Sequence, residues 1–341
     1  MQGLKDLKDS GAEHLKLSDL LAETELGRVV LELACTDLQQ QACKQVIDQI
    51  VQGALQPEFR PMQVYESGSF KRGTALCYDF DVDLVLTLCD FDYRQIEKYI
   101  HRSKAALVKK FGDGVEFTRA PTGRCLKFEV RGCFRFDLLF TGHPARNWHG
   151  NPEEFYTPAG SHEVDKLLIA AKGTHPVFHP LVLVAKHWKN QHQGERRLKS
   201  YYVELLCLRT INEQRGPGLT LKAAFKAFLT EFTTGRLVVQ NPNRYSPGPL
   251  SPSKHSMEEF VVYAEKTLRS LYGSKFNNNN SNHNRIQSPE SKMWQTGSFK
   301  THDEAIFDFP RKSSQVDDDD EDNLPGLFLA IGVFIFLLCQ K

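Results

Sequence analysis

The sequence predicts an α+β protein in which a mixed β-sheet lobe packs on a helical lobe. Between Val64 and Phe140 short β-rich runs alternate with glycines, and after Pro158 the apolar residues return to helical spacing. Bulk composition agrees. The 341 residues allow roughly two or three domains of about 100–200 residues each, and 40% hydrophobic with 25% charged residues is ordinary for a chain that folds in water. The expected division is a sheet-bearing lobe with N-terminal helices over 1–157 and a helical lobe over 158–275. A disordered acidic linker over 276–323 and a C-terminal hydrophobic helix over 324–341 follow.

From Leu17 to Gly53 apolar residues recur at helical spacing, as in Leu38, Ala42, Val46, Ile47 and Ile50 among Gln, Lys and Asp, which predicts amphipathic helix. Leu84–Leu88, Cys125–Val130 and Cys133–Phe140 read as strands, the last two joined through Arg131-Gly132 at the spacing of a tight hairpin. A helix over Tyr93–Phe111 interrupts them. Further helices are expected over Glu163–Ala171, Pro180–Asn190, Ser200–Glu213 and Leu221–Phe232. Residues 276–323 begin FNNNNSNHN, are poor in aliphatics and are broken by prolines, so they bury too little apolar area to offset the entropy of ordering.

Composition also excludes several classes. With 43 Lys+Arg against 42 Asp+Glu there is no global cationic field to draw the chain onto nucleic acid, so any such surface is a local patch. The 8 cysteines form no C-x-x-C and no zinc-spaced cluster, which points to reduced cytosolic thiols. Charges from Lys5 onward leave no room for a secretory signal. Near the C-terminus an acidic run, Asp317–Asp322, precedes Leu324–Cys339, which is uncharged and apolar on all sides. At 1.5 Å per residue that segment spans about 24 Å, short of a hydrocarbon core of about 30 Å but within what local thinning accommodates. The expectation is a membrane tail anchor through residues 324–339.

Chemistry is concentrated in acids placed on strands. Asp81 and Asp83 lead directly into Leu84–Leu88, and residues two apart share a face, so both carboxylates stand on one wall while Val82, Leu84, Leu86 and Leu88 face a core. At about 4 Å and an effective dielectric near 20 two such charges repel by roughly 4 kcal/mol, which a divalent cation would reverse. Mg²⁺ suits them, because it takes one or two carboxylates and fills its other positions with water and phosphate oxygens. Asp137 lies in a strand among residues that otherwise belong indoors. If its hairpin pairs beside the first two acids, three carboxylates complete a site for two cations. The loop Gly68-Ser69 would then offer backbone N–H groups and a hydroxyl to a triphosphate, with Lys71 and Arg72 near.

Gly68-Ser69, then Asp81-x-Asp83 twelve positions on, then a distant strand Asp resembles the nucleotidyltransferase superfamily. Within it, Gly68-Ser69 with Gly73-Thr74, Asp81–Val85, Phe136-Asp137-Leu138, Val184–Trp188 and Lys199–Leu206 resemble the corresponding blocks of the 2′-5′-oligoadenylate synthetases, in order, over roughly residues 40–275. Asn241-Pro242-Asn243 echoes a later Asp-Pro-rich turn of theirs. The resemblance implies a two-lobed nucleotidyltransferase fold. It implies Asp81, Asp83 and Asp137 as ligands of two Mg²⁺, with Mn²⁺ as a substitute, and Asp137 as acceptor of the proton of an attacking 2′-hydroxyl. Gly68, Ser69, Lys186, Ser200 and Tyr201 would bind ATP, with GTP also admissible, Tyr201 by stacking on the base. Lys71, Arg72 and Lys172 would contribute to binding double-stranded RNA, the activator in antiviral defence. His187 and Trp188 read as core residues, since their helix is apolar.

Two departures bear on the product. Leu183 stands where the synthetases carry an Arg, and Ser200 where many carry a Gln, both near donor ATP, while Gly173–Pro180 holds no Lys or Arg. A cyclic dinucleotide is therefore the alternative product, and a catalytically silent, membrane-tethered nucleic-acid receptor the alternative class.

Overall fold

Alternating apolar and polar residues in Asp81–Leu88 and Phe134–Gly142 give two strands whose core-facing residues are buried. Both are central in a five-stranded sheet. The computed structural model describes residues 11–23, 25–59, 62–118, 125–143, 157–192, 198–214, 218–246 and 248–273. The expected linker at 276–323 and the apolar segment at 324–341 lie outside the described residues. The strands are β1 (Met62–Ser67), β2 (Asp81–Leu88), β3 (Val115–Thr118), β4 (Cys125–Val130) and β5 (Phe134–Gly142), in the order β1-β2-β5-β4-β3. A small ribbon is formed by β6 (Val239–Asn241) and β7 (Gly248–Leu250). Around the strands run helices α1 (Leu17–Ala22), α2 (Leu26–Leu33), α3 (Asp37–Ile50), α4 (Gly68–Arg72) and α5 (Ile96–Phe111). Then follow α6 (Thr157–Thr174), α7 (Phe178–Gln191), α8 (Ser200–Glu213), α9 (Leu221–Thr233) and α10 (Lys254–Tyr272).

The sheet is mixed, as expected: β2 and β5 pair in parallel and the other neighbours antiparallel. Arg131 and Gly132 both adopt positive φ (56° and 64°), the backbone that a tight hairpin between right-twisted strands requires. Val82, Leu84, Leu86, Phe136, Leu138 and Phe140 face a core shared with Val46 and Ile50 of α3 and Leu107 of α5.

The amphipathic stretch expected over 17–53 contains three helices, α1, α2 and α3. Leu33–Cys35 turns aside to pair with the loop after α4, where Cys77 N–H donates to the Leu33 carbonyl at 2.9 Å and Ala34 bridges Leu76. Thr36 then restarts the helix through a capping box with Gln39. Periodicity does not register such a break, because both sides of it remain amphipathic. Leu20, Leu21, Val29 and Leu33 also join the core of the helical lobe, whereas Cys43, Val46 and Ile50 join that of the sheet. The N-terminal helices thus serve both lobes, and not the sheet lobe alone.

In the helical lobe Trp188 is fully buried among Phe228, Phe232 and Phe260 at ring separations of 5.8, 5.5 and 5.6 Å, and its indole N–H donates to Thr267 Oγ1 at 3.0 Å. His187 is equally buried, with Nε2 2.8 Å from the Leu15 carbonyl and Nδ1 2.8 Å from the Tyr78 hydroxyl. Both are core residues, as their setting in the sequence predicts. The described cysteines are all free thiols. Among the described residues no single helix is long and apolar enough to cross a membrane.

A buried charge network joins α4 to the helical lobe. Arg72 directs Nε and Nη2 to Glu204 of α8 at 2.7 and 3.1 Å, and its third donor, Nη1, to Asp165 of α6. Lys186 of α7 lies 2.5 Å from Glu204 and donates to the Thr74 carbonyl at 2.9 Å, while Ser67 Oγ donates to Asp165 at 2.8 Å. Burial alone would raise the Glu204 carboxyl, but Lys186 and Arg72 hold it down at about 2. Its contribution to stability is therefore present across neutral pH and lost as the pH falls toward 2. Glu204→Gln leaves two buried cations with one carboxylate between them, and the expected loss is about 3–5 kcal/mol of unfolding free energy. Urea unfolding at pH 7 measures this, and a loss under about 1 kcal/mol would contradict the network's role.

Candidate active site

Parallel pairing places Asp83 directly opposite Asp137, and Asp81 opposite Arg135. Side chains at paired positions of parallel strands share a face, so the three acids expected from the sequence stand together on the side of the sheet away from its core. Burial together with the Asp137 charge pushes the Asp83 carboxyl up to about 7. Asp81 is also raised, by burial first and by Asp137 and Asp79 in addition, against the pull of Arg135. Burial and mutual repulsion thus outweigh the cations near the cluster, Arg135, Arg72 and Lys127. Among the described residues no three acidic, histidine or cysteine side chains already stand at metal-ligand distances. The reason is visible: Asp81 leans on Arg135 at 2.8 Å, and Asp137 on Lys127. Hard carboxylate oxygens on one wall, the central one raised by burial and by Asp137, fit a hard divalent cation such as Mg²⁺.

The loop beside them is built for close approach. Gly68 has φ of +76°, and a Cβ there would lie 1.8 Å from Asp83 Oδ2, so glycine is required both by the backbone and by the carboxylate resting on it. Gly68, Ser69 and Asp83 share a cavity of about 270 Å³ with Ser200 and Tyr201 of α8 and with Asn241. Tyr201 OH donates to Asn241 Oδ1 at 2.6 Å, which ties the side wall to the end of β6. Four of the five residues expected to bind nucleotide are therefore gathered at one cleft beside the acids.

The fifth, Lys186, is not in that wall. It is 3% exposed and engaged by Glu204 and Thr74, so it supports the loop from beneath instead of reaching a triphosphate. Arg72 also corrects an expectation. Its guanidinium is 6% exposed and consumed by Glu204 and Asp165, so it offers nothing to an RNA backbone. A charged group next to a turn is read as solvated unless its partners are known, and these lie more than ninety residues away. Lys71 and Lys172 are exposed, and they share a second cavity of about 790 Å³ on the far side of α4 with Leu31, Phe70 and His179.

Residue types alone left Lys127, Arg135, Asp165 and Glu204 unremarked. The first was recoverable: counting five residues outward from Gly132 in both directions pairs Lys127 with Asp137. Arg135 follows from the period of two along β5. Asp165 and Glu204 carry no such local signal.

No family model matches the sequence, and no curated protein matches it. Solved structures do. The fold is similar to that of CdnC from E. coli MS115-1 in its complex with HORMA-deltaN, with a TM-score of 0.53 at 15% identity over 72% of this chain and 89% of that one. Cid1 poly(U) polymerase with MgGTP bound aligns with a TM-score of 0.52 at 15% identity over 74% and 94%. The complex of mtPAP with CTP aligns with a TM-score of 0.56 at 12% identity over 78% and 70%. This likeness is one of fold: a five-stranded mixed sheet with a helical lobe, the two-lobed nucleotidyltransferase fold.

Proposed function

We propose that the chain is a metal-dependent nucleotidyltransferase in which a ribose hydroxyl attacks the α-phosphate of a bound NTP and pyrophosphate leaves. The observation that carries this reading is Asp83 opposite Asp137, with Asp81 on the same face, beside the cavity floored by Gly68-Ser69. Asp81, Asp83 and Asp137 would hold two Mg²⁺, or Mn²⁺ in their place, and the bound ions supply Lewis-acid stabilisation of charge on the phosphate. Ser69 and the backbone of its loop hold the donor phosphates, with Ser200 across the cleft and Tyr201 against the base. Asp137 takes the proton of the attacking hydroxyl. Lys186 acts one layer behind, by fixing Thr74 and so the end of the loop.

The leading product is 2′-5′-linked oligoadenylate made from ATP, with GTP also admissible, stimulated by double-stranded RNA and serving innate antiviral defence. Its support is the order of the sequence blocks shared with the synthetases. Lys71 and Lys172, which flank one cavity behind α4, are the cations available to such an activator. A cyclic dinucleotide is the second reading. Leu183 is fully buried and Ser200 alone lines the cleft there, so the two side chains by which this chain departs from the synthetases leave the donor end less defined. Residues 324–339 would anchor the protein to an intracellular membrane, with the rest in the cytoplasm.

Full-length protein incubated with ATP, GTP, Mg²⁺ and duplex RNA or DNA should release pyrophosphate, and Asp81→Asn should lower that rate by about a hundredfold or more. No product with any nucleic acid would favour the silent receptor, and nuclease sensitivity of the product distinguishes linkages. Because the Asp83 carboxyl sits at about 7 without a cation, protons compete with the metal, and activity should rise with pH through that value. A raised carboxyl destabilises the fold increasingly as pH climbs from about 4 to 7, so metal-free Asp83→Asn should be more stable than wild type by about 4 kcal/mol at pH 8 and equal to it at pH 3.5. Thermal unfolding in a chelator at both values checks the sign. A fluorescent fusion should label membranes and become diffuse when residues 324–341 are removed; a diffuse intact fusion would end the anchor reading.

A further inference from the structure

The acid cluster already has counter-ions. β4 sets Lys127 opposite Asp137, with the ammonium on Asp137 Oδ2. β5 sets Arg135 opposite Asp81; its guanidinium forms an ion pair with Asp81 at 2.8 Å and donates from Nη2 to Asp79 at 2.7 Å. These cations differ from Arg72 and Lys186 in a decisive respect. Lys127 and Arg135 expose 31% and 41% of their side chains, whereas Arg72 and Lys186 are buried. An exposed cation can leave a carboxylate for water at little cost, but a buried one cannot.

Position matters as much as exposure. Neither Lys127 nor Arg135 lines the cavity of Gly68, Ser69 and Tyr201. Strand order places β4 beyond β5 from the loop that follows β1, so Lys127 lies past Asp137 from the donor pocket. In-line displacement requires the attacking oxygen to arrive opposite the leaving group, which is the side of the acids away from the loop. An acceptor nucleotide there brings a phosphate attached to the sugar that attacks. Arg and Lys beside it match phosphate oxygens by charge and, for Arg, by its paired donors.

We propose that Lys127 and Arg135 are exchangeable counter-ions, which neutralise the acids of the empty site and turn to the acceptor's phosphate when a divalent cation takes those carboxylates. This rests on the transferase reading above. It adds that the preferred acceptor is a phosphate-bearing nucleotide and not a free nucleoside, and that the chain's own cations compete with the metal.

Titration of the full-length protein with Mn²⁺ alone, followed by the electron paramagnetic resonance signal of free ion, tests the competition. Lys127→Gln and Arg135→Gln should each bind Mn²⁺ about tenfold more tightly than wild type, whereas Lys127→Arg, which keeps the charge, should bind as wild type does. With ATP as donor, wild type should prefer AMP to adenosine as acceptor, and both Gln variants should lose that preference through a higher KM for AMP with donor KM unchanged. Equal or weaker Mn²⁺ binding in both Gln variants overturns the proposal, as does an intact AMP preference in both. Absence of any transfer by wild type refutes the functional reading, and the Mn²⁺ titration then decides the counter-ion proposal by itself.

Discussion

Parallel pairing of β2 with β5 is the constraint on which the site depends. It sets Asp83 beside Asp137 on one face, and the same register puts Val82, Leu84, Phe136 and Leu138, each fully buried, on the other. A slip of one residue would turn the acids into the core and those four side chains out of it. Each buried side chain of that kind contributes about 1.5–3 kcal/mol, so together they exceed the roughly 4 kcal/mol by which neighbouring carboxylates repel. The core thus imposes a juxtaposition that electrostatics alone would disperse. The raised Asp83 carboxyl records the imposition.

Burial then divides the cations into two kinds. Arg72 and Lys186 are enclosed with Glu204 and Asp165, two positive groups against two negative ones, and every charge has a partner within hydrogen-bonding distance. Removing one member leaves an uncompensated charge in a poorly polarisable interior, so this group is fixed for the life of the fold. Lys127 and Arg135 make pairs of similar length at the surface of the cleft, where solvent lowers the cost of parting. Similar contacts therefore have opposite meanings: one set holds the lobes together, and the other is free to exchange.

How much of this was legible in the sequence follows from the range of each signal. The helix over Ser200–Glu213 and the strand over Cys125–Val130 have the bounds that periodicity predicts, because a single apolar face dictates each. The Asp trio was legible for the same local reason, an acid at a core-strand position being anomalous wherever the strand pairs. Interactions between distant segments were not legible. Arg72 and Lys186 read as phosphate-seeking cations, since nothing near them in sequence announces Glu204. β1 and β3 were missed as separate strands, being edge strands with weaker patterns, and α10 because its amphipathic run adjoins the polar stretch after Gly273. The break of the N-terminal helix at Leu33–Cys35 is likewise set by a partner, Leu76–Cys77, more than forty residues on.

Gly68 links these layers. Asp83 rests on its backbone, so the glycine loop and the central acid are in direct contact. The same five-residue helix ends in Arg72, which the helical lobe grips through Glu204 and Asp165, so the placement of Ser69 depends on both lobes at once. The opposite side of α4 forms a wall of the larger cavity. There His179 Nε2 lies 2.6 Å from the Gly73 carbonyl, and burial lowers its pKa to about 4, so the ring is neutral and donates to that oxygen. Lys71 of the same helix lines that cavity together with Lys172, while Gly68 and Ser69 line the cleft, so one five-residue helix with two buried attachments walls both.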